Sequence, residues 1–321
     1  MTDLNIVSLF CGAGGLDLGF KKAGFKVIFA NEYDKSIWST FENNFKNTHL
    51  DKRDIRKIPI EDIPNCIGII GGPPCQSWSE AGSLRGINDS RGQLFFDYIK
   101  IIEQKKPLFF VAENVSGILH LRHKTAFEKI INDFKKIGYN VSYKLVNAKN
   151  FNVPQDRERV FIIGFLNNIF FEFPQKTFPS PTLKETILDL QNSAKIFDPA
   201  NKDSLNNEYY NANYSSIFMS RNRVREWDEQ SFTIQAGGRH APIHPQAPKM
   251  EYVEANVRIF KQGFEHLYRR LTVRECARIQ TFPDDFIFSY NNILDGYKMV
   301  GNAVPVNLAY AIANKIKTYI S

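Results

Sequence analysis

A cysteine placed directly after a rigid turn is the first residue of this sequence that could take part in chemistry. The apolar run 67–70 predicts a buried parallel strand, and two glycines and two prolines at 71–74 separate it from Cys75. Each proline fixes its own φ and pushes the residue before it into an extended conformation. Open α/β sheets bind ligands just past the carboxyl ends of central strands, where the sequence places this thiol. The alternative is a buried structural cysteine, because free cysteines are often buried.

Charged side chains come close to other predicted strands. Glu113 directly follows the predicted strand 108–112, so we expect it at the same sheet edge as Cys75. Arg157 and Arg159 alternate in an extended segment, so both can point to one face. The carboxylate could equally belong to a loop or cap the next helix, and the two arginines could be solvated surface charges.

A glycine-rich turn joins the first predicted strand, 5–10, to a helix that closes at Gly24. Asp17 holds the place of the third glycine of the dinucleotide-binding fingerprint, so the turn is not that motif. The glycines still let a ligand approach the backbone closely. Glu32 ends the second predicted strand, 20 residues after Gly12, which is the spacing at which a carboxylate binds ribose hydroxyls.

A further acid follows the next predicted connection. Asp54, preceded by Arg53, could contact an adenine ring. Together with Glu32 it favours a nucleoside-binding interpretation. The alternative is an ordinary Rossmann-like turn with solvated acids.

Composition limits the class of protein. A chain of 321 residues with 43% hydrophobic residues can form one large domain or two smaller ones. Its net charge of +7 favours a polyanionic partner. The four cysteines form no metal-ligand pattern, and the N-terminus lacks the basic region and cleavage site of a signal peptide. No apolar run approaches the length of a membrane span. We therefore expect a soluble, intracellular protein with reduced thiols and no metal.

The character of the chain changes near residue 170, where prolines mark a boundary. A basic and aromatic segment then carries arginines at alternate positions, and a Gly-rich loop follows it; their arginines are Arg221, Arg223, Arg225 and Arg239. On an extended strand the first three would form a row of guanidinium groups, which can bind guanine edges or phosphates. A solvated charged face is the alternative. From 269 the chain returns to α/β character, with a helix starting at or near Thr272 and a closing helix over 306–319 that packs on the first domain.

Six segments, in their order along the chain, resemble motifs of the DNA (cytosine-5)-methyltransferases, most closely the bacterial HaeIII-type enzymes that act on GGCC. The matching motifs are Phe10-x-Gly12-x-Gly14, Pro74-Cys75-Gln76, Glu113-Asn114-Val115, Gln155-x-Arg157-x-Arg159, Arg274-Glu275-x-x-x-x-Gln280 and Gly301-Asn302-Ala303-Val304. They cover roughly 5–165 and 270–315. The resemblance implies a Rossmann-like α/β methyltransferase sheet with helices on both faces, plus a smaller, mostly irregular or β target-recognition domain. It divides the chain into a catalytic and cofactor-binding domain at 1–169, the target-recognition domain at 170–268 and a return to the catalytic domain at 269–321.

The resemblance also implies ligands and sites. The cofactor is S-adenosylmethionine, and the residues that would bind it are Phe10, Gly12, Gly14, Glu32, Tyr33, Asp54, Ile55, Pro74, Asn302 and Val304. Double-stranded DNA would be bound by Ser77, Ser79, Arg221, Arg223, Arg225 and Arg239. Of these we expect Arg221, Arg223 and Arg239 to face bases and Arg225 to be structural. We further expect the protein to be a monomer in the bacterial cytoplasm, where a restriction endonuclease acts on the same site.

Cytosine chemistry explains the residue types. The C5 atom becomes nucleophilic only after a thiolate adds at C6, and Cys75 is placed to do this. Arg157 or Arg159 would favour the thiolate, and Glu113 would act at the N3 edge of the ring. The target base must be flipped out of the duplex, and the loop 76–92 would close over it. Because the two prolines precede a cysteine, a ring carbon is favoured over an amino group as the methyl acceptor.

Three alternative functions share part of this sequence pattern. An RNA (tRNA) cytosine-5 methyltransferase would use the same chemistry, but the Arg-rich segment argues for duplex reading. A Rossmann-type oxidoreductase is disfavoured by Asp17. A DNA-binding module without activity is disfavoured by the presence of both Cys75 and Glu113.

Overall fold

The computed structural model describes residues 4–74, 93–177 and 179–320. In these ranges seven strands form one sheet: β1 Asn5–Leu9, β2 Lys26–Asn31, β3 His49–Asp51, β4 Gly68–Gly71, β5 Phe109–Val115, β6 Asn140–Asn147 and β7 Glu158–Phe165. Their order across the sheet is β3-β2-β1-β4-β5-β7-β6. The first five strands of that order pair in parallel, whereas β7 is antiparallel to both of its neighbours.

Helices cover both faces of the sheet. The α-helices of the described ranges are α1 Gly15–Lys22, α2 Trp38–Asn44, α3 Leu94–Lys105, α4 Lys124–Lys136, α5 Leu183–Ile187, α6 Val273–Ile279, α7 Ile293–Asn302 and α8 Val306–Lys317. Side chains of a strand alternate between faces, so Ile6 packs with α1 and α8 while Val7 packs with α3 and α4. The predicted fold class is therefore confirmed. None of the described helices is long and apolar enough to cross a membrane.

The C-terminal return packs on the start of the chain, as predicted. Helix α8 lies against α1, and a Cβ built on Gly19 would come within 2.3 Å of the Ala309 Cβ. Only glycine allows this approach of the two backbones. Helix α6 begins at Thr272, whose hydroxyl accepts from the Glu275 N–H while the Glu275 carboxylate accepts from the Thr272 N–H.

The segment between residues 170 and 268 has little regular structure. Its strands are short: β8 Lys195–Ile196, β9 Glu208–Tyr209, β10 Glu251–Glu254 and β11 Val257–Ile259. A small core separate from the main ones consists of Phe218, Val224, Ile243, Ala247, Met250 and Tyr268. The beginning of the segment is different, because Leu183 and Ile187 of α5 pack into the same core as α6 and α7.

Candidate active site and cofactor site

Three strands, β1, β2 and β4, end in register at one edge of the sheet, and β5 continues beyond them through Glu113 to Val115. Leu9 is paired with both Asn31 and Gly71, and Gly71 is paired with Ala112. The next residue of each strand or connection, including Glu32 and Glu113, therefore stands at a common edge. This confirms the predicted placement of both acids. Cys75 and the loop 76–92, including Ser77 and Ser79, lie outside the described residues.

Glu113 contacts the turn that leads toward Cys75. A Cβ built on Gly72 would lie 3.4 Å from Glu113 Oε2, so the carboxylate passes directly over this residue. The neighbouring Asn114 donates from Nδ2 to the Pro73 carbonyl at 3.3 Å. The end of β5 and the start of the turn are thus fixed relative to each other, with Pro74 partly buried behind them.

Arg159 forms an ion pair with Glu113. In the antiparallel pairing of β5 and β7, Arg159 stands opposite Val115, diagonally across from the acid, and its Nε lies 2.9 Å from Glu113 Oε1. Both side chains are largely buried. Burial raises the pKa of Glu113, although the positive charges of Arg159 and Arg157 oppose the rise. A carboxyl group in this position can hold a proton closer to neutral pH than an exposed one.

Arg157 has a different environment from Arg159, although the sequence offers either of them as the charge that would favour the thiolate. Its side chain is fully buried and donates to three main-chain carbonyls: Ile234 O at 2.9 Å, Gly301 O at 2.8 Å and Ala303 O at 3.1 Å. Burial lowers its pKa, and the nearby Arg159 lowers it further. The guanidinium therefore joins three separate parts of the chain beside the site.

Two glutamines complete this junction. Gln155 accepts from the Ile234 N–H at 2.9 Å and donates to Gln280 Oε1 at 2.8 Å. Gln280 in turn donates to the carbonyls of Val300 and Ala303. The sequence marked both glutamines as motif residues but gave them no role. In the sequence, the place of each glutamine in a motif was its only signal.

The glycine-rich turn and Glu32 meet as their spacing predicted. Glu32 Oε2 accepts from the Gly12 N–H at 3.0 Å, and Oε1 accepts from the Asp34 N–H at 2.8 Å. Burial raises the pKa of Glu32, and these N–H donors oppose the rise. Phe10, with φ 54°, adopts a left-handed backbone conformation that is rare for a non-glycine residue and is concentrated at functional sites.

Residues from near both chain ends lie close together beside the glycine-rich turn. A Cβ built on Gly14 would come within 2.3 Å of the Phe45 ring, and one on Gly15 within 2.3 Å of the Val304 carbonyl. Asn302, two residues earlier, is exposed, as is Tyr33 beside Glu32. The predicted cofactor residues of the two chain ends are therefore neighbours.

Asp54 uses its carboxylate locally. It begins the short 3-10 helix Ile55–Lys57 by accepting from the Arg56 N–H at 3.0 Å. A side-chain hydrogen bond from Arg56 lowers the pKa of Asp54 to about 2. Ile55 is buried beneath it. The loop is held to β2 by Asn31, which donates to the carbonyl of Arg53 at 2.9 Å.

The predicted row of arginines on a strand is wrong, because no strand runs through 221–225 in the described chain. Arg221 is exposed. Arg223 is buried; its Nε and Nη2 donate to the Phe218 and Ile217 carbonyls at 2.9 and 3.0 Å. Arg225 pairs with Glu229 at 2.9 Å, in keeping with the structural role expected of it.

The Gly-rich loop that carries Arg239 packs partly against the interior of the protein. Arg239 is exposed, within the one-turn helix Gly238–His240. A Cβ built on Gly238, however, would come within 2.6 Å of the Tyr297 ring. This glycine therefore allows a close contact inside the protein, and Arg221 and Arg239 remain as the exposed arginines of the predicted set.

Comparison with known proteins identifies the family. Residues 4–318 match C-5 cytosine-specific DNA methylase. The chain belongs to this family. It is 58% identical to the Type II methyltransferase M.NgoPII of Neisseria gonorrhoeae, covering 98% of this chain and 95% of the relative. It is 54% identical to M.FnuDI of Fusobacterium nucleatum, covering 98% and 94%. The resemblance found in the motifs is confirmed at the level of the family, and the protein is a DNA cytosine-5 methyltransferase.

The fold of the methyltransferase matches a solved structure over nearly its whole length. The crystal structure of DNMT2 from Spodoptera frugiperda superposes with a TM-score of 0.69, covering 99% of each chain at 19% sequence identity. At this identity the likeness concerns the fold.

Proposed function

We propose that this methyltransferase transfers a methyl group from S-adenosylmethionine to C5 of a cytosine flipped out of duplex DNA. The observation that carries the proposal is the Glu113–Arg159 ion pair, which lies at the carboxyl edge of the sheet against the turn preceding Cys75. A ring atom inside a duplex is inaccessible, so the base must leave the stack to reach this edge.

The residues at the ends of β1 and β2 fit the cofactor. A Cβ built on Gly12 would meet nothing within 4 Å, so there is open space beside this turn. Glu32, held by two N–H groups, stands next to that space, where a carboxylate can accept from ribose hydroxyls. The proposed cofactor residues are Phe10, Gly12, Gly14, Glu32, Tyr33, Asp54, Ile55, Pro74, Asn302 and Val304. When bound, S-adenosylmethionine supplies an electrophilic methyl group.

The chain's own residues prepare the base. The Cys75 thiolate adds to C6, and Glu113 gives a proton to N3, so that the electron pair becomes available at C5. Burial raises the pKa of Glu113 despite the opposing charges of Arg159 and Arg157, which is the direction that a proton donor requires. Arg159 holds the carboxyl group in place. After C5 has taken the methyl group, a base such as water removes the C5 proton, the thiolate leaves C6, and N3 returns its proton to Glu113, which restores the aromatic ring.

We further propose GGCC as the target, read by a recognition segment at 170–268 between the catalytic parts at 1–169 and 269–321. The small core around Phe218 and Tyr268 supports a unit of this kind. Arg221 and Arg239 are exposed and can each present a guanidinium fork to O6 and N7 of guanine. Arg223 instead supports the turn at 217–218 through two of its donors.

The cellular setting is part of the same proposal. Relatives named Type II methyltransferases support a modification enzyme that is paired with a restriction endonuclease of the same specificity. We propose that the enzyme acts as a monomer in the bacterial cytoplasm.

Covalent capture tests the proposed chemistry. Duplexes containing 5-fluorocytosine at the target should trap the enzyme as a stable adduct when cofactor is present, because the fluorine cannot be removed as a proton can. The Cys75→Ala variant should form no adduct and transfer no methyl group while unfolding at the same denaturant concentration. Methylation retained in this variant would overturn the assignment of the nucleophile.

Tritium transfer from labelled S-adenosylmethionine tests the substrate and the target sequence. Incorporation should occur in duplexes containing GGCC and fall when any base pair of the site is exchanged. Arg221→Ala and Arg239→Ala should each lose about 1–3 kcal/mol of discrimination at a guanine. Uniform losses on all duplexes, with a smaller salt dependence, would show phosphate contacts instead. Incorporation into tRNA but not into duplex DNA would overturn the proposed substrate.

A further inference from the structure

Lys298 of helix α7 connects the C-terminal part of the chain to the loop that carries Glu32. Its ammonium group lies 2.9 Å from Asp34 Oδ2, 2.7 Å from Ser36 Oγ and 3.1 Å from Asp295 Oδ1. Two of these partners belong to the loop after β2, more than 260 residues earlier in the chain. The third belongs to α7 itself.

From this lysine a continuous chain of contacts reaches the glycine-rich turn. Asp34 accepts from Lys298 and its own N–H donates to Glu32 Oε1 at 2.8 Å. The other oxygen of Glu32 accepts from the Gly12 N–H. The carboxylate proposed to bind the ribose is thus held between the turn on one side and the Asp34 loop on the other.

The loop itself is folded around Asp34. Its Oδ1 accepts from the Ser36 N–H at 3.0 Å and from the Ser36 hydroxyl at 2.8 Å. Burial alone would raise the pKa of Asp34, but hydrogen bonds from Lys298 and Ser36 outweigh it and leave the pKa below its usual value. Burial alone would lower the pKa of Lys298, but its hydrogen bonds to Asp34 and Asp295 outweigh burial and leave this pKa above its usual value. Both groups are therefore charged throughout the neutral range.

The position of Lys298 on α7 places its contact with Asp34 next to residues of the proposed cofactor pocket. Residues four apart in a helix lie on the same face, so Lys298 and Asn302 stand side by side on α7. Asn302 and Val304 form one wall of the proposed cofactor pocket, and Glu32 and Tyr33 form the other. Lys298 joins the two walls.

We propose that Lys298 is a positioning residue for cofactor binding, which fixes the separation of the two walls through Asp34. The proposal rests on the proposed cofactor site. A surface ion pair that only adds stability would leave cofactor affinity unchanged, whereas this one holds the partner of Glu32. Asp34 and Asp295 offer a matched comparison, because both bind the same ammonium but only Asp34 contacts Glu32.

The test measures the dissociation constant of S-adenosylhomocysteine by calorimetry, together with KM for S-adenosylmethionine and kcat. Lys298→Met and Asp34→Asn should each weaken binding and raise KM about five-fold, which corresponds to about 1 kcal/mol and is the upper range for a partly exposed ion pair. At saturating cofactor kcat should stay at the wild-type value. Lys298→Arg should restore most of the affinity, and the double variant should be no worse than either single one.

Two controls decide the interpretation. Asp295→Asn should stay within two-fold of wild type, and all variants should unfold at the wild-type denaturant concentration. Wild-type affinity in Lys298→Met, or an equal loss in Asp295→Asn, would overturn the role of Lys298. Glu32→Ala distinguishes failure of the positioning role from failure of the proposed cofactor site. Unchanged cofactor binding in Glu32→Ala overturns the cofactor site itself. Weakened binding in Glu32→Ala together with wild-type binding in Lys298→Met overturns only the positioning role.

Discussion

Replacement of Arg157 by lysine tests whether this residue stabilises the junction beside the site or acts on the reaction. Its guanidinium reaches the carbonyls of Ile234, Gly301 and Ala303 at 2.8–3.1 Å from a fully buried position. An ammonium group is a single point donor and cannot reproduce this planar fork. Arg157→Lys should therefore lose about two of the three hydrogen bonds.

The expected loss follows from these contacts. Hydrogen bonds to a charged group contribute about 1.5–3 kcal/mol each, so losing two of them should lower the free energy of unfolding by about 3 kcal/mol. With a urea dependence of about 3 kcal/mol per molar, the midpoint should fall by about 1 M. Arg157→Met removes all three hydrogen bonds and leaves the buried carbonyls of Ile234 and Gly301 without these donors, so we expect a loss of about 2–6 kcal/mol.

The neighbouring Arg159→Lys variant is the matched control. Arg159 contacts the carboxylate of Glu113, so its replacement should lower kcat about tenfold or more, which corresponds to raising the reaction barrier by about 1.4 kcal/mol. The urea midpoint of this variant should stay close to that of the wild type. Urea unfolding followed by fluorescence, together with single-turnover methylation, measures both quantities. If Arg157→Lys keeps the wild-type midpoint while losing turnover, the structural explanation is refuted.

Three further predictions concern single positions. Gly301→Ala should destabilise the enzyme by about 1–3 kcal/mol or more in urea unfolding, since its Cβ would lie 2.3 Å from the Gln235 carbonyl. Glu113→Gln cannot donate the N3 proton and should lower kcat by about 10²–10⁴ in initial-rate assays, with folding retained; near-normal turnover would exclude the acid role. Burial raises the pKa of Asp17 from 3.8 to about 7, so its contribution to stability is present below pH 4 and is lost as pH rises toward 7. Asp17→Asn should flatten this dependence and be more stable than wild type at pH 8 by up to about 4 kcal/mol, and an unchanged pH profile would contradict the assignment.

The sheet edge could be predicted from the sequence because it depends on local patterns. Glu113 and Glu32 each end a predicted strand, and parallel strands bring their carboxyl ends together wherever the chain between them runs. The N-terminus of α6 could also be predicted from a local pattern, since Thr272 and Glu275 form their reciprocal hydrogen bonds within four residues.

The contacts of the arginines could not be predicted in the same way. Alternation places Arg221, Arg223 and Arg225 on one face only if a strand forms, and the described segment has a single bridge, between Val224 and Ile243, in place of a ladder. The partners of Arg157 lie 77 to 146 residues further along the chain. Such distances are set by tertiary packing, on which residue spacing carries no information.

The contact between α1 and α8 has a consequence for synthesis of the enzyme. Helix α1 leaves the ribosome long before its partner α8 and before Val304, which lies against Gly15. A nascent chain that ends before α7 therefore lacks the α8 residues that pack on α1 and one wall of the proposed cofactor pocket. Contacts this distant along the chain also slow folding. The contact between α1 and α8 can thus form only after α8 itself has been synthesised.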